Sequence, residues 1–172
     1  MTCHAGGMNS AAELKKLLLK RPAFTLAAAE SLTAGHVQAQ IASVSGSSGY
    51  FLGGVTAYSL DQKVKLLGVN RAHAKSVDCV SQRVAVEMAA GAVKLFDADI
   101  TLATTGYAEP APAQKVKVPQ AWWAICHRHK GGAAEILSGF IEVPDADRVT
   151  VQARVADAVL GELVKYLREV RG

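Results

Sequence analysis

Short apolar runs alternate with helix-periodic segments through the first hundred residues, and this alternation is the strongest constraint on the fold. Residues 24–29 form an apolar run with polar boundaries, as a buried strand requires. Thr33 then caps a segment in which Val37, Ile41 and Val44 recur at helical spacing. Residues 50–59 read as a second strand, with the Gly53-Gly54 pair marking a bulge. A short helix over 60–67 ends at Gly68. A longer one over 81–96, with Val84, Met88, Ala92 and Leu95 on one face, precedes a strand at 99–104. Further on, 121–129 and 133–143 pair as a hairpin around Lys130-Gly131-Gly132. A final helix is expected over 147–170. At the start, Ser10 and Glu13 form a capping box for a helix carrying Leu14, Leu17 and Leu18 and closed by Pro22. Residues 1–9 are expected to be a flexible tail, and 10–172 a single domain. The pattern predicts an α/β fold, a three-layer α/β/α sandwich whose mixed sheet is covered by helices on both faces.

Composition agrees with that class and excludes others. Thirty alanines suit helices lying close to a sheet. The three cysteines, Cys3, Cys79 and Cys126, are odd in number and far apart, a reduced pattern rather than a disulfide framework. A net charge of +4 is too small to argue for nucleic acid. The basic stretch Lys15, Lys16, Lys20 and Arg21 reads as the wet face and last turn of a helix. No apolar run approaches the ~18 residues of a membrane helix, and the start does not read as a secretory signal. A cytoplasmic protein is therefore expected, with no membrane or nucleic-acid partner.

Four segments could carry chemistry. Glu30-Ser31-Leu32-Thr33 stands where a strand ends and a helix begins, a place where α/β sheets bind ligands; plain helix capping is the competing reading. Ser45-Gly46-Ser47-Ser48-Gly49 is a turn-rich loop before the second strand. Tyr58 and Lys63 follow that strand, and a lysine there could reach back to a serine and deprotonate it once its pKa is lowered; an exposed helix lysine is the alternative. Thr105-Gly106 opens a proline-marked loop, 105–119, and could hold an oxyanion or phosphate. His127 and His129 alternate onto one strand face with Cys126 on the other, but two ligands do not make a metal site. No metal or other cofactor is expected.

Taken together and in order, the segments AESLTAGHV, SGSSGYFLGGVTAYSLDQKVKLLGV, VSQRVAVEMAAGAVKLFDADITLATTGYAEP and DRVTVQ resemble the CinA C-terminal domain family. This is the competence-damage-inducible family whose active members are PncC-type nicotinamide mononucleotide deamidases. The resemblance runs from about Ser10 to Arg171. It implies an often oligomeric α/β/α sandwich, a pyridine-nucleotide substrate, and carboxamide hydrolysis to carboxylate and ammonia by a Ser/Lys mechanism. Carried over by motif, Ser48 is the expected nucleophile, Lys63 the base and Tyr58 its assistant. Glu30, Ser31, Thr33, Ser47, Thr105, Gly106 and Arg148 are the expected substrate contacts, Arg148 as a bidentate phosphate partner.

The chain departs from the family pattern in three places, one of them a later glycine that is missing near Pro119 and Gln120. Ala34 stands where the family has a second glycine. The family's TGIAGPGGG is here TGYAEPAPA, so Glu109 replaces a glycine and brings bulk and negative charge. These changes leave three readings open: a deamidase with a reshaped substrate loop, an amidohydrolase with a changed substrate, or an inactive paralogue that binds a nucleotide or protein in a regulatory, competence or DNA-damage role.

Overall fold

The computed structural model describes residues 5–129 and 131–172. Five strands, β1 (Leu26–Glu30), β2 (Phe51–Thr56), β3 (Ile100–Tyr107), β4 (Gln120–His127) and β5 (Glu135–Glu142), form one sheet in the order β2-β1-β3-β4-β5. β1, β2 and β3 are parallel, whereas β4 and β5 run antiparallel. The mixed sheet is explained by its connections. The early strands are joined by helical crossovers, as parallel neighbours require, and the last two by a short hairpin.

Six helices cover the sheet: α1 (Ala5–Leu19), α2 (His36–Ala42), α3 (Leu60–Leu67), α4 (Arg71–Ser76), α5 (Gln82–Phe96) and α6 (Arg148–Arg171). α1, α2 and α6 bury Leu14, Ile41 and Leu160 against Leu26, Ile100 and Ile125 on one face. On the other face α3, α4 and α5 pack over Ala29, Ala103 and Ala124. Alternation along the strands thus sends Leu26, Ile100, Leu102 and Ile125 to one side and Ala29, Ala103 and Ala124 to the other. The alanine side lets helices approach closely. At Gly91 in α5 an added Cβ would lie 2.0 Å from the Leu67 carbonyl oxygen of α3, so only glycine fits.

Several boundaries follow from single residues. Ser59, Ser81 and Asp147 each accept a backbone N–H at the start of α3, α5 and α6, as N-caps do. Gly68 ends α3 in the left-handed conformation. The bulge expected in β2 is present: Leu26 pairs with Phe51 but Ala27 with Gly53, which leaves Leu52 as the extra residue.

Four elements differ from expectation. α2 begins at His36, with Gly35 and not Thr33 in the N-cap position. Of the expected tail, residues 1–4 lie outside the described residues, while α1 begins at Ala5. α4 was not legible, because six residues are too few to display a helical period. The 105–119 loop is shorter than expected, because β3 runs on to Tyr107 and a 3-10 turn fills Pro112–Gln114.

Candidate active site

Because β1, β2 and β3 are parallel, the segments leaving their C-terminal ends lie side by side. They line a cavity of about 220 Å³. Ser31 comes from the end of β1, Tyr58 and Lys63 from the β2–α3 passage, Thr105 to Glu109 from the end of β3 and the residues just after it, and Arg148 from the first turn of α6. This is the edge at which open α/β sheets bind ligands.

Lys63 is the most unusual residue of the cavity. Ser59 caps α3, its hydroxyl accepting the Gln62 N–H at 3.3 Å, and so fixes the first turn in which Lys63 stands. The lysine is only 1% exposed. Its Nζ lies 2.8 Å from Ser31 Oγ, 2.9 Å from the Ala57 carbonyl oxygen and 3.0 Å from that of Tyr58. Burial lowers its pKa from the ordinary value of 10.5, opposed by the nearby Cys79 and Asp78. In the neutral state an amine has two N–H donors and one lone pair. Carbonyls can take both protons, which turns the lone pair toward the Ser31 hydroxyl. That is the geometry of a general base on a serine nucleophile.

The rim is polar. Arg148 donates to Glu109 Oε1 at 2.8 Å and to the Tyr58 hydroxyl at 2.6 Å. Its place is set by Asp147, which caps α6 by accepting the Thr150 N–H at 2.7 Å. The cavity wall also contains Asp78, Cys79 and Tyr107, to none of which the sequence assigned a role in the site. Asp78 and Cys79 are held at φ 51 and 62, a conformation uncommon for residues with a Cβ. Two β3 side chains pin them there. Thr105 donates to the Cys79 carbonyl oxygen at 2.7 Å, and the Tyr107 hydroxyl donates to Asp78 at 3.0 Å. Burial, with the Asp78 carboxylate second, pushes the Tyr107 pKa up to about 12. No sequence spacing signals this wall, because the 78–80 turn meets β3 only through the fold.

The structure brings together Ser31, Tyr58, Lys63, Thr105, Gly106 and Arg148, but it separates others. Ser48 is not beside Lys63. Ser47 and Ser48 lie in a 3-10 turn that precedes β2, whereas Lys63 follows it. β2 has six residues, and at ~3.3 Å per residue the two ends of such a strand are about 17 Å apart. The serine that meets Lys63 belongs instead to the neighbouring strand, because parallel β1 and β2 end at the same edge. Glu30 is also corrected. It is fully buried, and its carboxylate accepts the N–H groups of Gly35, Val37 and Gln38 at 3.0, 3.1 and 2.9 Å, capping α2 rather than facing a ligand. Thr33 is buried with its hydroxyl 2.7 Å from that of Thr104, a tie between the ends of β1 and β3. Gly106 does line the cavity, but what requires glycine there is the sheet: an added Cβ would lie 2.2 Å from the Gln120 carbonyl oxygen.

Comparison with known proteins places this architecture. The model of the CinA C-terminal domain family matches residues 8–167. The chain belongs to the CinA C-terminal domain family. A CinA-like protein of Chlorobium limicola is 34% identical over 170 residues, 98% of this chain and 39% of that protein. Another, from Chlorobaculum tepidum, is 37% identical over 155 residues, 90% of this chain and 36% of the relative. The chain thus spans less than two fifths of the length of these curated relatives. Among solved structures, a competence-damaged protein (CinA) superfamily protein of Klebsiella pneumoniae 700603 superposes with a TM-score of 0.86 at 23% identity, covering 95% of this chain and 98% of that one. Competence damage-inducible protein A of Klebsiella pneumoniae MGH 78578 gives 0.83 at 26% identity, covering 94% and 97%. The α/β/α sandwich of the family is therefore the fold of this chain. Among the described residues, no helix is long and apolar enough to cross a membrane.

Proposed function

We propose that this CinA domain is a serine amidohydrolase of the nicotinamide mononucleotide deamidase class, with Ser31 as nucleophile and Lys63 as its base. The observation that carries the reading is the buried contact of Lys63 Nζ with Ser31 Oγ at 2.8 Å. Ser31 Oγ attacks the carboxamide carbon while its proton passes to Lys63. The tetrahedral intermediate then collapses, Lys63 returns that proton to the amide nitrogen, and ammonia leaves. Water attacks the resulting ester with Lys63 again as base, releasing the carboxylate and regenerating Ser31. The Leu32 N–H, next to the nucleophile and unclaimed among the described residues, is the nearest backbone candidate to bind the oxyanion. Tyr58 and Arg148 form the rim where a substrate's polar end would rest.

A base works only when neutral, and burial lowers the pKa at which Lys63 becomes so. Ammonia release from nicotinamide mononucleotide should therefore rise tenfold per pH unit on the acid side, then level off at a lower pH than an ordinary lysine base would allow. Lys63→Met should remove at least ~10²-fold of the rate, and the limb with it. An unchanged profile in that variant would sink the assignment.

Glu109 bears on the substrate. Its carboxylate occupies Arg148 at 2.8 Å, so a phosphomonoester must displace it before the guanidinium can pair with phosphate. Glu109→Gly should therefore raise kcat/KM for the mononucleotide by about tenfold, mostly through KM, and leave the dephosphorylated riboside unchanged; ~1.4 kcal/mol corresponds to that factor. Equal effects on both substrates would mean that Glu109 does not screen the phosphate. Nucleotide binding without turnover at any pH would favour the regulatory, non-catalytic reading instead.

A further inference from the structure

At the opposite edge of the sheet, the β4–β5 hairpin gathers a second set of side chains. His127 ends β4, and His129 continues the same alternation two residues on. The antiparallel register places Glu135, the first residue of β5, directly across from His127. One donor atom from each of the three lies within 4.8 Å of the other two. The imidazole rings are 4.3 Å apart, and His129 Nε2 is 3.4 Å from Glu135 Oε2. The register thus supplies the third ligand that two histidines on one strand lacked.

Tyr166 of α6 holds this set from behind. Its hydroxyl donates to Glu135 Oε2 at 2.8 Å and lies 2.7 Å from His127 Nδ1. A phenol has one proton, and here Glu135 receives it, so the tyrosine oxygen accepts from His127 Nδ1–H. That fixes the tautomer and leaves the lone pair on Nε2. Metal-binding histidines are oriented in this way, by a hydrogen bond on the nitrogen that does not ligate. His127 is further held by burial and by the edge-on ring of Phe24, centroids 4.7 Å apart. His129 and Glu135 are exposed.

We propose that His127, His129 and Glu135 form a binding site for a divalent transition-metal ion of the zinc class. Two imidazoles and a carboxylate are a borderline-soft set, which suits zinc and not magnesium or calcium. Bonds of about 2.0–2.1 Å set tetrahedral ligand atoms roughly 3.3 Å apart. A contraction of no more than about 1.5 Å from the present spacing is needed, within reach of side-chain rotation at His129 and Glu135. Three protein ligands leave a fourth position for water or an external group. A bound ion would tie the edge strand β5 to β4.

The test is titration of the whole chain with zinc chloride against a chromophoric chelator, with cobalt(II) absorption reporting geometry. Wild type is expected to bind one ion with tetrahedral cobalt bands. His129→Ala should weaken zinc at least tenfold and abolish the bands, and Glu135→Gln should act likewise. Tyr166→Phe should weaken it about tenfold by freeing His127. His36→Ala and Cys79→Ser should bind as wild type does. His129 is exposed, so its variant is expected to fold and decides the matter. Equal zinc affinity in wild type and His129→Ala, or loss in the Cys79→Ser control, would overturn the site.

Discussion

Ser31→Ala is expected to reduce ammonia release from nicotinamide mononucleotide by at least ~10³-fold, while Ser48→Ala leaves it within about twofold. Removing the nucleophile of a dyad costs nearly all the covalent catalysis, because the remaining base has nothing to activate. The contrast matters more than the loss. Both serines stand in motifs of the family, and the order of residues along the chain favours Ser48, the serine before the strand that leads to Lys63. The packed structure favours Ser31, which is 7% exposed and in contact with the lysine. Ser48 is exposed, at the far end of β2. Circular dichroism should show both variants folded, since neither serine hydroxyl joins the hydrophobic core. Loss of activity in Ser48→Ala with retention in Ser31→Ala would reverse the assignment.

Glu30→Ala should be the most destabilising single change near the site, by about 4 kcal/mol. Three backbone N–H groups at the start of α2 lose their acceptor. Each such group, left without a partner in a buried setting, costs about 1–3 kcal/mol, and water can recover part of it. The helix start also loses the negative charge that complements its dipole. For a chain of this size, ~1 kcal/mol moves Tm by about 2–4 °C, so thermal unfolding should begin roughly 10 °C lower. Glu30→Gln should fall between, because its amide oxygen replaces only half of the acceptor capacity. Turnover of the surviving folded enzyme should fall far less than in Ser31→Ala. Unchanged Tm with lost turnover would instead place the carboxylate in the chemistry.

The two predictions share a physical origin. Glu30 and Ser31 are adjacent, yet one side chain turns inward to the helix and the other to the cavity. Capping by Ser31 or Thr33 was the competing reading of this segment; the structure gives the task to the Glu30 carboxylate instead. The hydroxyl of Ser31 became a nucleophile candidate only through a lysine 32 residues away.

Local rules made much of the fold legible. α3 over Leu60–Leu67, its Gly68 terminator, the Ser81 cap, the β4–β5 hairpin and α6 after Asp147 each rest on spacing, caps and turn residues within about twenty positions. Tyr58 and Lys63 were legible as site candidates from their place just past a strand, and Arg148 from the motif that the resemblance to the family carries over. The wall at Asp78, Cys79 and Tyr107 was not, since two β3 side chains create it from a distance. Nor was the third member of the His127–His129 set, for which the register of β4 on β5 was needed. By itself, then, the amino-acid sequence determined which segments become strands and helices, where they stop, and which residue types are available for chemistry. Those outcomes depend on hydrogen bonds and periodicity within a few turns of chain. Only the tertiary structure decided which serine meets Lys63, because strand direction and neighbour order, not distance along the chain, determine which ends of β1 and β2 share an edge.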